Sequence, residues 1–127
     1  MNKLGILALL AVTVLGGCLH ELPSSTVTSG AHACSDGERV TVSGREQEIE
    51  LTGSCSIITI AGSKNKIVIA SAKSVDIDGP ENQVSVAAAD AIRVRSTGNS
   101  VQFSKGLTVR NPAVIALGDD NQLVQTK

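Results

Sequence analysis

Apolar residues recur along this chain in short alternating stretches that come in pairs separated by a turn. In the clearest copy, Val75-Asp76-Ile77 leads through Asp78-Gly79 and Asn82 to Val84-Ser85-Val86. Alternation with a period of two is typical of a β-strand with one buried face. Each copy therefore predicts two short strands joined by a turn that contains glycine and an amide.

The same phrase is repeated from Val40 to Leu123. The amides of its turns are spaced 18, 17, 17 and 22 residues apart, at Gln47, Asn65, Asn82, Asn99 and Asn121. One copy alone cannot bury its apolar face, whereas stacked copies pair like strands in parallel around a continuous core. The repeat predicts an all-β fold, a small parallel two-sheet β-solenoid with about 17 residues per coil. An antiparallel β-sandwich or meander is the alternative, since short strands at this spacing also suit hairpins.

The repeat length also predicts which residues are neighbours in adjacent coils. Three pairs of opposite charge result, Asp76 with Arg93, Asp78 with Arg95 and Glu48 with Lys66. The asparagines at the turns are expected to be structural, because asparagine tolerates left-handed backbone and its amides hydrogen-bond in columns. The insertion 105–112 contains Pro112, which cannot donate to a strand ladder, and we expect it to cap the last coil.

Residues 1–17 are predicted to be a lipoprotein signal peptide. Lys3 is followed by the apolar run Leu4–Leu15, which is too short to span a bilayer. Leu15-Gly16-Gly17-Cys18 then resembles a bacterial lipobox, which makes Cys18 the predicted site of lipid attachment. Several acyl chains would anchor the protein permanently to a membrane of the cell envelope. The residue after Cys18 is Leu19 and not Asp, which favours the outer membrane if the bacterium has two membranes. In a bacterium with one membrane, the outer face of the cell membrane is expected.

Residues 18–33 contain Pro23, several serines and threonines and Gly30, without a clear apolar period. This composition predicts a flexible, lipid-anchored tether, and the β-repeat domain is expected over 34–127. In an oxidising compartment Cys34 and Cys55 are predicted to form a disulfide that closes a loop of about 22 residues, worth roughly 3 kcal/mol. A metal site and free thiols are the alternatives. His20 and His32 both lie in the predicted tether, and no metal-binding spacing is present, so no metal is predicted.

Composition narrows the classes of function. The formal net charge is −1, and removal of Lys3 with the leader leaves ten basic and twelve acidic residues, hence −2. The charges are interspersed, which argues against a nucleic-acid partner. Phe103 is the single aromatic residue, so no platform exists on which a sugar ring could stack. Without a nucleophile motif or a histidine in the repeat, we expect no enzyme and no cofactor.

Three segments of the chain resemble a known family. The Val-x-Val-x-Gly-x-x-Asn-x-Val-x-Val phrase, the opening Cys34-Ser35-Asp36-Gly37 and the ending Gly118-Asp119-Asp120-Asn121 are similar to the bacterial domain-of-unknown-function family 3060. The resemblance covers about Ala33 to Gln125, and it departs from the family phrase at Gln47 and Ser96. It implies a repeat domain of secreted or lipid-anchored envelope proteins, and it implies no activity.

These observations lead to the expectation of a cell-envelope lipoprotein that is a non-catalytic protein-binding or surface-display module. The membrane, through the anchor, and an envelope protein are the expected partners. One outer face should carry mixed charge, and the other should be nearly neutral. The candidate contact face is the neutral one, with Val68, Ala70, Ser85, Ala87 and Gln102. A self-associating structural component is the alternative, followed by a small-ligand carrier or an envelope enzyme.

Overall fold

The computed structural model describes residues 23–126 and contains β-strands but no helix within that part of the chain. No helix long and apolar enough to cross a membrane is found there. The strands are β1 (Ser24–Val27), β2 (Gly30–Val42), β3 (Glu48–Ile60), β4 (Lys66–Ile77), β5 (Gln83–Val94), β6 (Ser100–Lys105), β7 (Ala113–Ala116) and β8 (Gln122–Gln125).

All of these strands pair in parallel, in the order β1-β2-β3-β4-β5-β6-β8, with β7 beside β5. The register from β4 to β5 is one coil of 17 residues, since Ile67 pairs with Val84 and Val75 with Ile92. The fold is therefore a parallel β-solenoid of about five turns with about 17 residues per coil. The solenoid prediction is confirmed, and the antiparallel alternative is wrong.

Each long strand contributes to both faces of the solenoid because it bends in the middle. In β4 the buried residues alternate as Ile67 and Ile69, and after a three-residue step they continue as Ala72, Val75 and Ile77. The two predicted sheets are thus joined at a corner within each strand and form one hydrogen-bonded sheet. The faces separate only after β5, where β6 and then β8 continue one face and β7 continues the other.

The core is almost entirely aliphatic. Inward-pointing side chains from successive coils stack in columns, such as Ile49, Ile67, Val84 and Val101, and all four are buried. Each fully buried Val, Ile or Leu stabilises the fold by about 1.5–3 kcal/mol relative to an exposed position. Phe103, the single aromatic residue of the sequence, belongs to the same core.

Glycines form a second column at the turns. A Cβ atom on Gly62, Gly79 or Gly118 would meet the backbone carbonyl oxygen of the preceding coil well inside van der Waals contact. For Gly79 that oxygen belongs to Gly62. The repeated glycine therefore allows the backbones of neighbouring turns to approach closely.

The N-terminal boundary of the domain differs from the prediction. Residues 24–33 were predicted to be part of a flexible tether, but β1 and the first part of β2 occupy them. β1 pairs with residues 39–42 of β2, and Val27 is buried beside Val42. The pairing is carried by backbone hydrogen bonds, which polar Ser and Thr residues form as well as apolar ones. The predicted signal peptide, 1–17, and Cys18 lie outside the described residues.

The insertion 105–112 also differs from its predicted role. It forms a loop at the corner between β6 and β7, and the last coil, made of β7 and β8, follows it. Asp90 holds this loop, since its Oδ1 accepts hydrogen bonds from the backbone N–H of Leu107 (2.7 Å) and Thr108 (2.6 Å). These hydrogen bonds lower the pKa of Asp90, with the hydroxyl of Thr108 contributing most. The loop is an extended corner within the stack and not a cap on its end.

The predicted ion pair of Asp78 with Arg95 is confirmed, whereas Asp76 forms its ion pair with Arg95 and not with Arg93. Asp76 lies beside Arg93, and Glu48 beside Lys66. It is Arg95, however, that forms ion pairs with both Asp76 (Nη2–Oδ2, 3.3 Å) and Asp78 (Nε–Oδ1, 3.2 Å). The long guanidinium of Arg95 reaches both carboxylates. Exposed pairs of this kind contribute only about 0–1 kcal/mol.

The glycine column yields a stability prediction. Gly79→Ala should lower the free energy of unfolding by about 2–3 kcal/mol, because the new methyl group forces adjacent turns apart. Urea denaturation followed by circular dichroism measures the change. Ser85→Ala, at an exposed position of the next strand, is the control and should change stability by less than about 0.5 kcal/mol. Equal stability of the two variants would contradict close turn packing.

Candidate functional site

The first coils are joined covalently by the predicted disulfide. Cys34 in β2 is bonded to Cys55 in β3, with their Cα atoms 5.2 Å apart. The two residues are 21 positions apart, which is one coil and a few residues more. Because Cys34 is half-buried and Cys55 is buried, the bond closes the corner between the first two turns.

A buried acidic residue lies next to this disulfide. Glu38 is 3% exposed. Its Oε2 lies 2.7 Å from Nε2 of His32, and its Oε1 accepts a hydrogen bond from the backbone N–H of Ser35 at 2.7 Å. Together with a hydrogen bond from the side chain of Ser25, which has the largest effect, these contacts lower the pKa of Glu38 from 4.5 to about 2. The carboxylate is therefore ionised and fully engaged with groups of β1 and β2.

The ligand atoms of His32, Cys34 and Glu38 lie within 4.8 Å of one another, a distance that suits a metal ion. The sulfur of Cys34 is bonded to Cys55, however, and it cannot act as a thiolate ligand in this state. The imidazole and carboxylate are also paired with each other. The cluster is better explained as a set of contacts that stabilise the N-terminal corner.

His32 lies in β2 and not in a tether as predicted, and the burial of Glu38 was not predicted. A signal was present, since Glu38 stands two positions before Val40 and four before Val42, in phase with both inward residues. Its neighbour in the next coil is Cys55, itself buried. The alternation of inward and outward residues therefore indicated that Glu38 occupies an inward position despite its charge.

The turn asparagines form a continuous hydrogen-bonded ladder. The Oδ1 of each accepts a hydrogen bond from the backbone N–H of the preceding turn amide: Asn65 from Gln47 (2.9 Å), Asn82 from Asn65 (3.0 Å), Asn99 from Asn82 (2.8 Å) and Asn121 from Asn99 (2.9 Å). The Nδ2 groups of Asn65, Asn82 and Asn121 donate in turn to carbonyl oxygens of the previous coil, as from Asn82 to Gly62 at 3.0 Å, whereas the buried Nδ2 of Asn99 has no such partner within residues 23–126. The three inner asparagines, Asn65, Asn82 and Asn99, are at most 1% exposed.

This ladder leaves the inner asparagines no surface with which to contact a ligand. The left-handed backbone expected at asparagine is found one residue earlier, at Glu46, Lys64, Glu81, Gly98 and Asp120, each with a positive φ. That conformation turns the chain sharply enough to direct each following amide into the stack.

The residues of the candidate contact face lie on one exposed surface. Val68, Ala70, Ser85, Ala87 and Gln102 are all exposed. Strand register aligns Glu50, Val68, Ser85, Gln102 and Val124 in one column across β3, β4, β5, β6 and β8. Two shallow depressions of about 260 and 430 Å³ adjoin on this face and share Lys66 and Val68.

The opposite face carries the mixed charge that the sequence predicted. Its central column runs through Thr41, Thr59, Asp76, Arg93 and Ile115. Asp76 is already engaged by Arg95. Of the two faces, the one around Val68 is therefore the less charged and the less internally paired.

These features define a parallel β-solenoid repeat domain with an amide ladder and a disulfide at its N-terminal corner. Residues 42–88 match the model of the family described as "Protein of unknown function (DUF3060)". The match confirms the resemblance but is narrower than the range expected from the sequence. Neither a curated protein nor a solved structure matches the chain significantly.

The ladder yields a second stability prediction. Asn82→Ala should lower the free energy of unfolding by about 2–4 kcal/mol, because a buried backbone N–H and two carbonyls lose their partners. Gln47→Ala, at the exposed start of the ladder, is the matched control and should cost less than about 1 kcal/mol. Thermal or urea unfolding measures both. A loss at Asn82 no larger than at Gln47 would show that the ladder contributes little.

A third prediction concerns pH. Since the pKa of Glu38 falls from 4.5 to about 2 on folding, its ionised form stabilises the fold above pH 4.5, and this contribution disappears as the pH falls towards 2. Glu38→Gln should be less stable than the native protein at pH 7 by about 2 kcal/mol. The difference should shrink between pH 4.5 and 2.

Urea denaturation at a series of pH values, with the disulfide kept oxidised, provides the measurement. Glu50→Gln on the exposed face of β3 serves as the control, because its carboxylate is open to solvent. A constant difference between native and Glu38→Gln protein over this range of pH would contradict the lowered pKa.

Proposed function

We propose that this chain is a cell-envelope lipoprotein, anchored through Cys18, whose solenoid is a non-catalytic module that binds another envelope protein. The lipobox-like sequence Leu15-Gly16-Gly17-Cys18 supports the anchor. The disulfide supports an oxidising compartment such as the cell envelope. The described strands begin at Ser24, so the connection from Cys18 to the domain is shorter than the sequence suggested.

The observation that carries the binding proposal is the contact face with its two adjoining depressions. Val68 is 45% exposed at the point where they meet, although it lies in the middle of the stack. The surrounding residues, Ser85, Ala87 and Gln102, are small or uncharged. A surface of this kind can be desolvated at low cost, which is what the centre of a protein interface requires.

The shape of the face favours an extended protein segment as the occupant. The depressions are shallow and follow the direction in which the coils stack, whereas small-molecule sites are concave and enclose most of the ligand. Glu48, Glu50 and Lys66 border one end of the face and offer charged groups at a rim. We therefore expect apolar contacts at Val68 and polar ones around it.

A non-catalytic role agrees with the arrangement of the titratable side chains. His32 is the single histidine of residues 23–126, and it is paired with Glu38. Asp76 and Asp78 are engaged by Arg95, and Asp90 holds the corner loop. Each of these groups has a structural partner in the described part of the chain.

Self-association is the second candidate function. The observation that favours it is the last coil, in which Ile115, Leu117 and Val124 are exposed, each at 49% or more. Val124 also ends the contact-face column, so substitutions at Ile115 and Leu117 are the ones that distinguish this candidate from the binding proposal.

The binding proposal predicts that a photo-reactive cross-linker placed at Ser85 in the native, lipid-anchored protein captures a specific envelope protein in cells. The same cross-linker at Arg93, on the opposite face, is the matched control and should not capture it. Val68→Lys, introduced together with the Ser85 probe, should reduce the capture by about tenfold or more, because a buried lysine is costly at an interface. Mass spectrometry of the cross-linked products provides the measurement.

Equal capture from both faces, or capture that Val68→Lys does not change, would contradict binding at the contact face. Cys18→Ser separates the anchor from the binding surface. If the protein is a lipoprotein, this variant should lose its membrane attachment and, with it, the cross-link to a membrane-bound partner.

A further inference from the structure

The two ends of the solenoid differ in how they are closed. At the N-terminal end the corner is locked by the disulfide and by buried Glu38. At the C-terminal end, β7 pairs only with β5 and β8 only with β6. No strand of residues 23–126 covers the outer edges of β7 and β8, which we call the C-terminal edge.

The strands of the C-terminal edge are short, but they lack the side-chain protection that edge strands usually have against pairing. Edge strands normally carry charged residues, Pro or bulges that prevent association. β7 reads Ala-Val-Ile-Ala and β8 reads Gln-Leu-Val-Gln, without charge. The core-facing Val114 and Leu123 remain only half-buried. Asn121 is also the last amide of the ladder, so the described chain has no further coil to accept its backbone N–H.

The charges around this edge indicate the occupant. Asp119 and Asp120 lie in the turn at one end of β7 and β8, whereas Lys105 and Arg110 flank the corner at the other end. A two-fold axis that is normal to both faces and passes just outside β7 and β8, level with their midpoints, exchanges these two ends. The acidic turn of one copy then lies opposite the basic corner of the other, and this occurs twice.

The same axis pairs each edge strand with its own copy in antiparallel orientation. β7 meets β7 of the second copy on one face, and β8 meets β8 on the other. Leu117 at the turn is brought towards Leu107 and Val109 of the corner loop, and all three are exposed in the single chain. A single arrangement therefore brings together apolar strands, unpaired backbone groups of the strand edges and complementary charges.

We propose that the C-terminal edge is a homodimer interface, in which two copies of this chain join end to end through β7 and β8. The interface is isologous and closed, so it gives a dimer and not a filament. The N-terminal end of each copy is left free, at the far ends of the assembly.

The test uses the full-length lipidated protein, solubilised in a density-matched detergent and studied by sedimentation equilibrium over a range of concentrations. We expect a monomer–dimer equilibrium. Asp119→Arg should raise the dimer dissociation constant by about tenfold or more, because it faces Arg110 with a like charge. Asp119→Arg combined with Arg110→Asp restores opposite charges and should return the constant to within about threefold of the native value.

Val68→Lys on the contact face is the control and should leave the dissociation constant unchanged. Circular dichroism of each variant verifies that the solenoid remains folded. A protein that stays monomeric at every concentration would overturn the proposal. So would a dimer that Asp119→Arg leaves unaffected, or one in which the double exchange restores nothing. These outcomes do not depend on the cross-linking result at Ser85, so the two proposals fail separately.

Discussion

The rest of the fold depends on the hydrogen bond that each turn amide receives from the turn before it. Asn82 illustrates the constraint, because its Oδ1 accepts from the backbone of Asn65 while its Nδ2 donates to the carbonyl of Gly62. Both contacts require adjacent turns to lie directly above one another. Gly79, three residues before Asn82, makes that approach sterically permitted, because a Cβ atom there would collide with the carbonyl oxygen of Gly62. Once the turns are aligned, the strand register is fixed, and the Val and Ile residues that follow the turns stack in inward columns.

This constraint also explains where the chain tolerates extra residues. The interval from Asn99 to Asn121 is 22 residues instead of 17, yet their hydrogen bond is 2.9 Å long, as in the regular coils. The additional residues form the corner loop held by Asp90, at the opposite end of the strands from the ladder. Insertions are thus confined to the corners, since a change of length at the turns would break the ladder and shift every inward residue.

The spacing of apolar and amide residues in the sequence predicts those parts of the fold that side-chain packing and side-chain hydrogen bonds determine. The amide column, the aliphatic core and the coil length follow from residues such as Asn65, Ile67 and Val84, whose spacing is visible in the sequence. β1 could not be predicted in the same way, because it is held by backbone pairing to β2 and contributes one buried residue, Val27. The predicted partner of Asp76 was also wrong, because strand register alone does not determine an ion pair. Register identifies Arg93 as the neighbour, but the reach and flexibility of Arg95 decide the ion pair.

The two proposed surfaces are geometrically compatible. In the proposed dimer, β8 lies against β8 of the second copy on the same face, so the column through Val68, Ser85, Gln102 and Val124 continues across the two-fold axis. Two contact faces would then form one surface on the same side of a rod. If each copy binds a partner segment weakly, a partner that spans both faces gains affinity through effective concentration, without any new kind of contact. The anchors proposed at Cys18 would leave the rod at its two far ends. That arrangement holds the rod along the membrane and presents the joined face sideways or outward, whereas a monomer held at one end would project away from the surface.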